Sequence, residues 1–341
     1  MSQISDTAGS KGSESKLRHF NSDEAQFNSP LFILAAPRSF SSVISTMIGQ
    51  HPQMYGLPEM ELFSARTVAE WWRLCARATF PRSHGTLRAV GQLYFGEQTE
   101  RSIRLARGWL LRRCHWTTGF LFEMLAVKAR PRTLVEKSTT SVYRMGALQR
   151  AHRMYPDARF IHLVRHPRGQ GESVMKFIRE RQKLDPLPDG HWLLKLASFP
   201  RLEMELCSVS DDVLDPQRGW YTLNSTICEF LKSVPQEQQL TVRGEDLLTN
   251  TENGMRSIAN WLGLRSDSEA IVEMMHPERS PFACYGPPGA RYGNDLLFLE
   301  DPRLRPARAT IHSLEEPLSW RADNLGFFVQ VKELAKQFGY A

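Results

Sequence analysis

Two short tracts of the 341-residue chain set arginine and serine side chains at spacings suited to holding phosphate. The first runs Leu31-Phe32-Ile33-Leu34-Ala35-Ala36-Pro37-Arg38-Ser39-Phe40-Ser41-Ser42-Val43. It reads as an apolar strand, a tight hydroxyl-rich loop and the start of a helix. In that geometry loop amides, the first N–H groups of the helix and the serine hydroxyls converge on one spot, which is an anion site. Arg38 adds a permanently charged planar fork for phosphate. The tract is not a Walker A loop, because G-x-x-x-x-G-K-[ST] is absent. The plainer reading makes Ser39, Ser41 and Ser42 helix caps and leaves Arg38 on the surface.

The second tract is Arg159-Phe160-Ile161-His162-Leu163-Val164-Arg165-His166-Pro167-Arg168-Gly169-Gln170-Gly171-Glu172-Ser173. It puts Arg165 at the carboxyl end of a strand and Ser173 eight residues later, on the first turn or two of the next helix. Such a pair can converge on one phosphate; the plainer alternative is an ion-paired Arg165 and an exposed Ser173. Two separate anion sites suit a ligand with two separate phosphates, whereas the contiguous phosphates of ATP need one cradle.

The elements that would position these residues are legible as runs. Leu31 to Ala35, Thr133 to Glu136, Arg159 to Val164 and Gln239 to Arg243 are short apolar or β-branched segments bounded by Pro, Asp or Gly, and predict strands. Helical patterns follow each of them, at Val43 to Gly49, Tyr143 to Met154, Gly171 to Glu180 and Thr251 to Leu262. This alternation predicts a parallel sheet flanked by helices, a P-loop-like α/β fold whose ligands sit at the carboxyl ends of the strands. Helical insertions are expected at about 60 to 130, and a less regular one at about 181 to 215. Residues 1–27, rich in Ser, Gly and Lys, predict a disordered tail, and 28–341 a single α/β domain.

Both tracts resemble the phosphate motifs of the sulfotransferases that use 3′-phosphoadenosine 5′-phosphosulfate (PAPS). The family's 5′-phosphosulfate loop runs Pro-Arg/Lys-Ser-Gly-Ser/Thr-Ser/Thr, so Phe40 stands here where the family has Gly. Its 3′-phosphate motif has Arg followed by Ser at the spacing of Arg165 and Ser173. The resemblance implies donor contacts from Arg38, Ser39, Phe40, Ser41, Ser42 and Val43 at one end and from Arg165 and Ser173 at the other. In the tyrosylprotein branch and similar bacterial enzymes, His-Pro followed shortly by Glu supplies the catalytic base. The tract His51-Pro52-Gln53-Met54-Tyr55-Gly56-Leu57-Pro58-Glu59-Met60-Glu61 puts Glu59 at that place, with Glu61 and His51 as alternatives. Val135-Glu136-Lys137-Ser138 resembles a tract whose Lys lies near the transferred group. Gly244 replaces the aromatic residue of a Tyr-Glu-Asp-Leu segment. The tract Ser280 to Asn294, rich in Gly, Pro and Tyr, would correspond to a loop over the nucleotide with Arg291 on the 3′-phosphate, or else is an ordinary surface loop. PAPS is thus the implied donor, with no metal required.

Composition narrows the remaining classes. The net charge of +6 is scattered, with no Lys/Arg run of five or more, which speaks against a nucleic-acid partner. No run approaches 18 apolar residues and the first twenty lack an apolar core, so membrane insertion and secretion are not expected and a cytoplasmic location is. Five cysteines without a C-x-x-C pair suggest buried thiols rather than disulfides or zinc ligands. On the predicted helix about Thr99 to Trp116, Arg101, Arg104, Arg107 and Arg112 share one arc opposite Ile103, Ala106, Trp109 and Leu110. The arc is either a solvated face or a dock for an acidic partner such as an acyl carrier protein, since several bacterial relatives modify natural products. The acceptor class implied is a hydroxyl on a small molecule, lipid or carrier-bound substrate. A P-loop-like kinase and a non-catalytic nucleotide-binding protein are the rival readings; the kinase lacks a Walker lysine and magnesium carboxylates.

Overall fold

A computed structural model describes residues 29–78, 82–184, 208–210, 213–305 and 313–341. The expected tail at 1–27 and most of the insertion at 181–215 lie outside the described residues. Strand β1 (Leu31–Leu34) is buried at every position, as the continuous apolar run LFIL requires of a strand covered on both faces. Helix α1 (Ser41–Gly49) follows it, then β2 (Met54–Gly56), a three-residue strand absent from the sequence-based expectation. Helices α2 (Val68–Arg77), α3 (His84–Phe95), α4 (Glu100–Leu111) and α5 (Thr118–Ala129) form the long helical insertion. After them come β3 (Thr133–Glu136), α6 (Met145–Met154), β4 (Arg159–Val164) and α7 (Pro167–Leu184). A short antiparallel pair, β5 (Ser208–Ser210) and β6 (Val213–Leu214), precedes the helix Pro216–Leu231 and strand β7 (Gln239–Arg243).

The larger sheet has five parallel strands in the order β2-β3-β1-β4-β7. From β1 the chain moves to one side through β2 and β3, then crosses to β4 and β7 on the other. The chain reverses direction about β1 and β4, and the crevice outside the carboxyl ends of such strands is where doubly wound sheets bind ligands. The two phosphate tracts leave the sheet at that place, directly after β1 and β4.

Alternation along the strands divides the core in two. Phe32, Leu34, Leu134 and Phe160 face a layer built from α2 to α6 and the helix Pro216–Leu231, where Phe32 lies against Phe63, Phe122 and Phe160 with ring centroids 5.3, 6.0 and 5.4 Å apart. Leu31, Ile33, Val135, Ile161 and Leu163 face α1 and the helices Thr251–Leu262 and Ser268–Met274. Each such side chain contributes about 1.5–3 kcal/mol on burial. The strand ends are therefore firmly held, and the loops leaving them inherit fixed starting points.

Helix α7 starts four residues earlier than its pattern suggested. Pro167 opens it, since its missing N–H would be unsatisfied there in any case and its φ is already helical. Ser173 consequently sits in the second turn. Arg168 turns away from the crevice and donates to the carbonyls of Ser313, Glu316 and Pro317 at 2.7–3.0 Å, tying the C-terminal segment to the sheet. In α4 the expected division holds: Ile103, Ala106, Trp109 and Leu110 are buried, and Arg101, Arg104, Arg107 and Arg112 are exposed. The cysteines differ from expectation. Cys75, Cys114 and Cys228 are only half-buried free thiols and Cys284 is exposed, because they lie on helix rims and a surface loop rather than under the sheet; Cys207 lies outside the described residues.

Candidate active site

The loop after β1 takes its shape from two residues with positive φ, Arg38 at 66° and Phe40 at 62°. Non-glycine residues rarely adopt this left-handed region, at a cost of about 1–3 kcal/mol each. Phe40 does so where a glycine would be free, and its conformation makes it the residue preceding α1. It offers no side-chain cap, so the first N–H groups of α1, at Ser41, Ser42 and Val43, have neither an intrahelical acceptor nor a capping oxygen. No acidic residue occupies the first turn. The loop carbonyls point elsewhere, Pro37 accepting from Gln170 Nε2 at 2.9 Å and Arg38 from an Arg165 terminal nitrogen at 2.7 Å.

Arg165 leaves the end of β4 and packs its guanidinium over the Phe40 ring, 4.1 Å from the centroid. Its backbone carbonyl accepts from Trp220 Nε1 at 2.8 Å. Its Nε is buried without a hydrogen-bond partner among the described residues. Burial is the largest influence on its acidity and pushes its pKa down to about 10, with Glu245 acting in the opposite sense. The group remains charged at neutral pH. Arg38 Nε donates to Ser173 Oγ at 3.2 Å, so the two phosphate tracts are joined directly.

A second cluster lies beside the loop, after β3. Lys137 is almost fully buried and donates to Ser42 Oγ at 3.0 Å and Asn294 Oδ1 at 3.3 Å, and it forms an ion pair with Glu59. Glu59 is fixed through its backbone. Its N–H donates to the Gly293 carbonyl at 2.7 Å, and its carbonyl lies against the N-terminus of α3, where a Cβ on Gly85 would stand 1.9 Å from the Glu59 oxygen. Only glycine permits this approach. Asp295 caps the helix Leu296–Glu300 with one carboxylate oxygen, at 3.1 and 3.2 Å from the N–H groups of Leu297 and Phe298, and pairs with Arg38 through the other.

Glu61, two residues beyond Glu59, is buried and accepts from Thr140 Oγ1, while its N–H donates to Ser138 Oγ at 2.9 Å. Burial pushes its pKa up to about 7, opposed by Arg82. Glu136, likewise buried and bonded to Ser138, is pushed up to about 7 mainly by burial. His51 has both ring nitrogens engaged, Nδ1 by the Gln53 N–H at 3.1 Å and Nε2 by the Arg265 carbonyl at 2.9 Å, so it has no free lone pair to act as a base. His84, pushed down to about 4 by burial, accepts from the Tyr292 N–H.

The structure thus gathers Arg38, Ser39, Phe40, Ser41, Ser42, Val43, Arg165 and Ser173 around one loop, with Lys137 and Glu59 beside it. Arg291 is exposed on its loop, with its guanidinium 5.0 Å from the Tyr285 centroid. The loop is instead anchored from within by Arg88, buried on α3, which bonds Gln98 and the carbonyls of Tyr292 and Pro281. That anchor delivers Asn294 and Asp295 to Lys137 and Arg38. Neither was visible in the sequence, where the only signal was an Asn-Asp pair closing a Gly-rich tract.

A sulfotransferase family model matches residues 30–268, well over half of the chain and including both phosphate tracts, Glu59 and Lys137. The chain belongs to the sulfotransferase family. Among solved structures, this sulfotransferase is similar to the sulfotransferase domain from the curacin biosynthetic pathway, at 19% identity and a TM-score of 0.67 over 93% of this chain and 99% of that one. It is also similar to the sulfotransferase domain of the Synechococcus PCC 7002 olefin synthase, at 23% identity and a TM-score of 0.65 over 94% and 97% of the two chains. These likenesses show the P-loop-like α/β fold. No curated protein matches the sequence. The family assignment does not favour the kinase reading. Among the described residues no helix is long and apolar enough to cross a membrane.

Proposed function

We propose that this sulfotransferase binds PAPS between the loop of Arg38 to Val43 and the Arg165–Ser173 pair, and transfers its sulfuryl group to a hydroxyl with Glu59 as general base. The observation that carries this reading is the buried Nε of Arg165, a charged donor without an acceptor among the described residues, joined through Arg38 and Ser173 to an uncapped helix N-terminus. Buried charges without partners are costly, and an arriving phosphate relieves both ends. The residues present therefore fit a donor with two separate phosphates.

In the transfer step Glu59 takes the acceptor's proton while the acceptor oxygen forms its bond to sulfur and the bond from sulfur to the bridging phosphate oxygen breaks. Lys137, Arg38 and the first N–H groups of α1 stabilise the negative charge left on that phosphate oxygen. Most of the catalysis is positioning and charge stabilisation, as in phosphoryl transfer. Asn294 holds Lys137, and Asp295 holds Arg38 until an anion replaces it. Arg291 has no role in this account.

The acceptor we propose is a small-molecule, lipid or carrier-bound hydroxyl. Carrier delivery is supported by the exposed arginines of α4, which complement an acidic acyl carrier protein. The cytoplasm is the compartment we assign, in keeping with free thiols at Cys75, Cys114, Cys228 and Cys284.

The test is transfer of labelled sulfuryl from PAPS to a panel of free and carrier-bound hydroxyl compounds, in the presence of EDTA. Label on an acceptor, with equimolar adenosine 3′,5′-bisphosphate released, is expected. Transfer that stops on removing divalent ions, or PAPS left intact with every acceptor, would overturn the reading.

A further inference from the structure

The ring of Phe40 has a use that the backbone of its loop does not explain. Phe40 occupies the left-handed region at φ 62° and ψ 11°, a conformation in which glycine costs nothing and phenylalanine is strained. The ring meets Arg165 on one side. On another it faces Gly244, at the end of β7, where an added Cβ would stand 2.6 Å from Phe40 Cδ2. The ring therefore fills the space that any side chain at 244 would need. Gly244 is the first residue of the helix Gly244–Thr249, and its neighbour Glu245 is fixed by the His166 N–H and the Tyr340 hydroxyl, each at 2.8 Å. That end of β7 thus has little freedom to retreat.

We infer that Phe40 is a positioning residue for Arg165: its ring, admitted by the missing side chain at 244, holds the guanidinium in place for the 3′-phosphate. The inference rests on the proposed donor reading. Three contacts define Arg165: its carbonyl receives Trp220, one terminal nitrogen reaches the Arg38 carbonyl, and its flat face lies on Phe40. The first two fix the backbone and one corner of the guanidinium. The ring fixes the plane, and with it the direction in which the buried Nε can donate. A preformed fork binds phosphate more tightly than one that must be ordered on binding. The strain at Phe40 is then retained because the ring is needed there.

Phe40→Gly is a clean deletion, since glycine takes the same φ without cost and the loop keeps its shape. Calorimetry of this variant, of Gly244→Ala and of the double variant, each with adenosine 3′,5′-bisphosphate and adenosine 5′-phosphate, separates the possibilities; thermal melting confirms that each is folded. Phe40→Gly should weaken the bisphosphate by about three- to thirtyfold, the range of a partly buried cation–π contact, and the monophosphate by less than about twofold. Gly244→Ala, by pushing the ring off Arg165, should produce the same selective loss in the natural chain and none in the Phe40→Gly background. Equal losses for both nucleotides, or a Gly244→Ala effect independent of residue 40, would overturn the inference while leaving the donor site standing. If the natural chain binds no bisphosphate, the donor reading fails first and takes the inference with it.

Discussion

The two ends of the candidate donor site hold their cations in opposite ways. At the β4 end, Arg165 lies on an aromatic ring, its own carbonyl bound by Trp220 and one terminal nitrogen on the Arg38 carbonyl, and among the described residues no carboxylate comes within ion-pair distance of it. At the transfer end each cation already has a carboxylate, Glu59 on Lys137 and Asp295 on Arg38. A buried cation with no ion-paired carboxylate and an unpaired donor gains most when an anion arrives, so the Arg165 end should determine affinity. Cations that exchange one anion for another gain less on binding and act on charge that develops during transfer, so the other end should determine rate.

The largest effect that could break this division is Glu59→Gln, which removes the proposed proton acceptor at nearly constant shape. It should lower kcat by about 10²–10⁴-fold in the transfer assay, while the affinity for adenosine 3′,5′-bisphosphate stays within about threefold. A large affinity loss with little change in kcat would mean that Glu59 organises the site rather than taking the proton. Lys137→Ala should cost about 10²–10³-fold in kcat, with a smaller rise in the dissociation constant. Gly85→Ala tests the backbone placement of Glu59 without touching its carboxylate. A displacement of the Glu59 segment by the added methyl should reduce kcat by about ten- to a hundredfold, with calorimetric affinity little changed.

The smallest predicted effect concerns pH and stability. Glu61 and Glu136 are raised from 4.5 to about 7 by burial, so between those values the folded state binds more protons than the unfolded chain and their contribution weakens as pH rises. His84 and His162, lowered to about 4 by burial, act in the opposite direction between about 4 and 6.5. The difference between natural chain and Glu61→Gln isolates one group: measured by denaturant unfolding, the variant should gain stability relative to the natural chain as pH is raised from 5 to 7.5. A constant difference across that range would remove Glu61 from the account.

The strands bearing the phosphate tracts were legible because β1 is a buried, continuously apolar run and β4 a mostly apolar one, each sharply bounded. Thr133–Glu136, Arg159–Val164 and Gln239–Arg243 fall where the pattern put them, and β1 ends one residue early. Met54–Gly56 was not legible: it is an edge strand of three residues ending in glycine, with no β-branched residue to mark it. Local motifs disclosed the residues that leave the strand ends, Arg38, Lys137 and Arg165. Asn294 and Asp295 reach the site across 157 and 257 residues, and no local pattern encodes such a contact. Arg291 was assigned to the 3′-phosphate by likeness of its Gly-, Pro- and Tyr-rich tract to a family loop, whereas the bonds by which the buried Arg88 anchors this loop have no local signal in the sequence. The departures at Phe40 and Gly244 were visible one at a time; only the fold reveals that they meet.

The most direct test of the donor site is calorimetric titration of the purified protein with adenosine 3′,5′-bisphosphate, ATP and NAD in EDTA, repeated with Arg165→Ala. The account predicts selective binding of the bisphosphate that the substitution weakens by about tenfold or more, one charged hydrogen-bonding group being worth roughly 1.5–3 kcal/mol. Equal binding of ATP, or bisphosphate binding indifferent to Arg165, would contradict it.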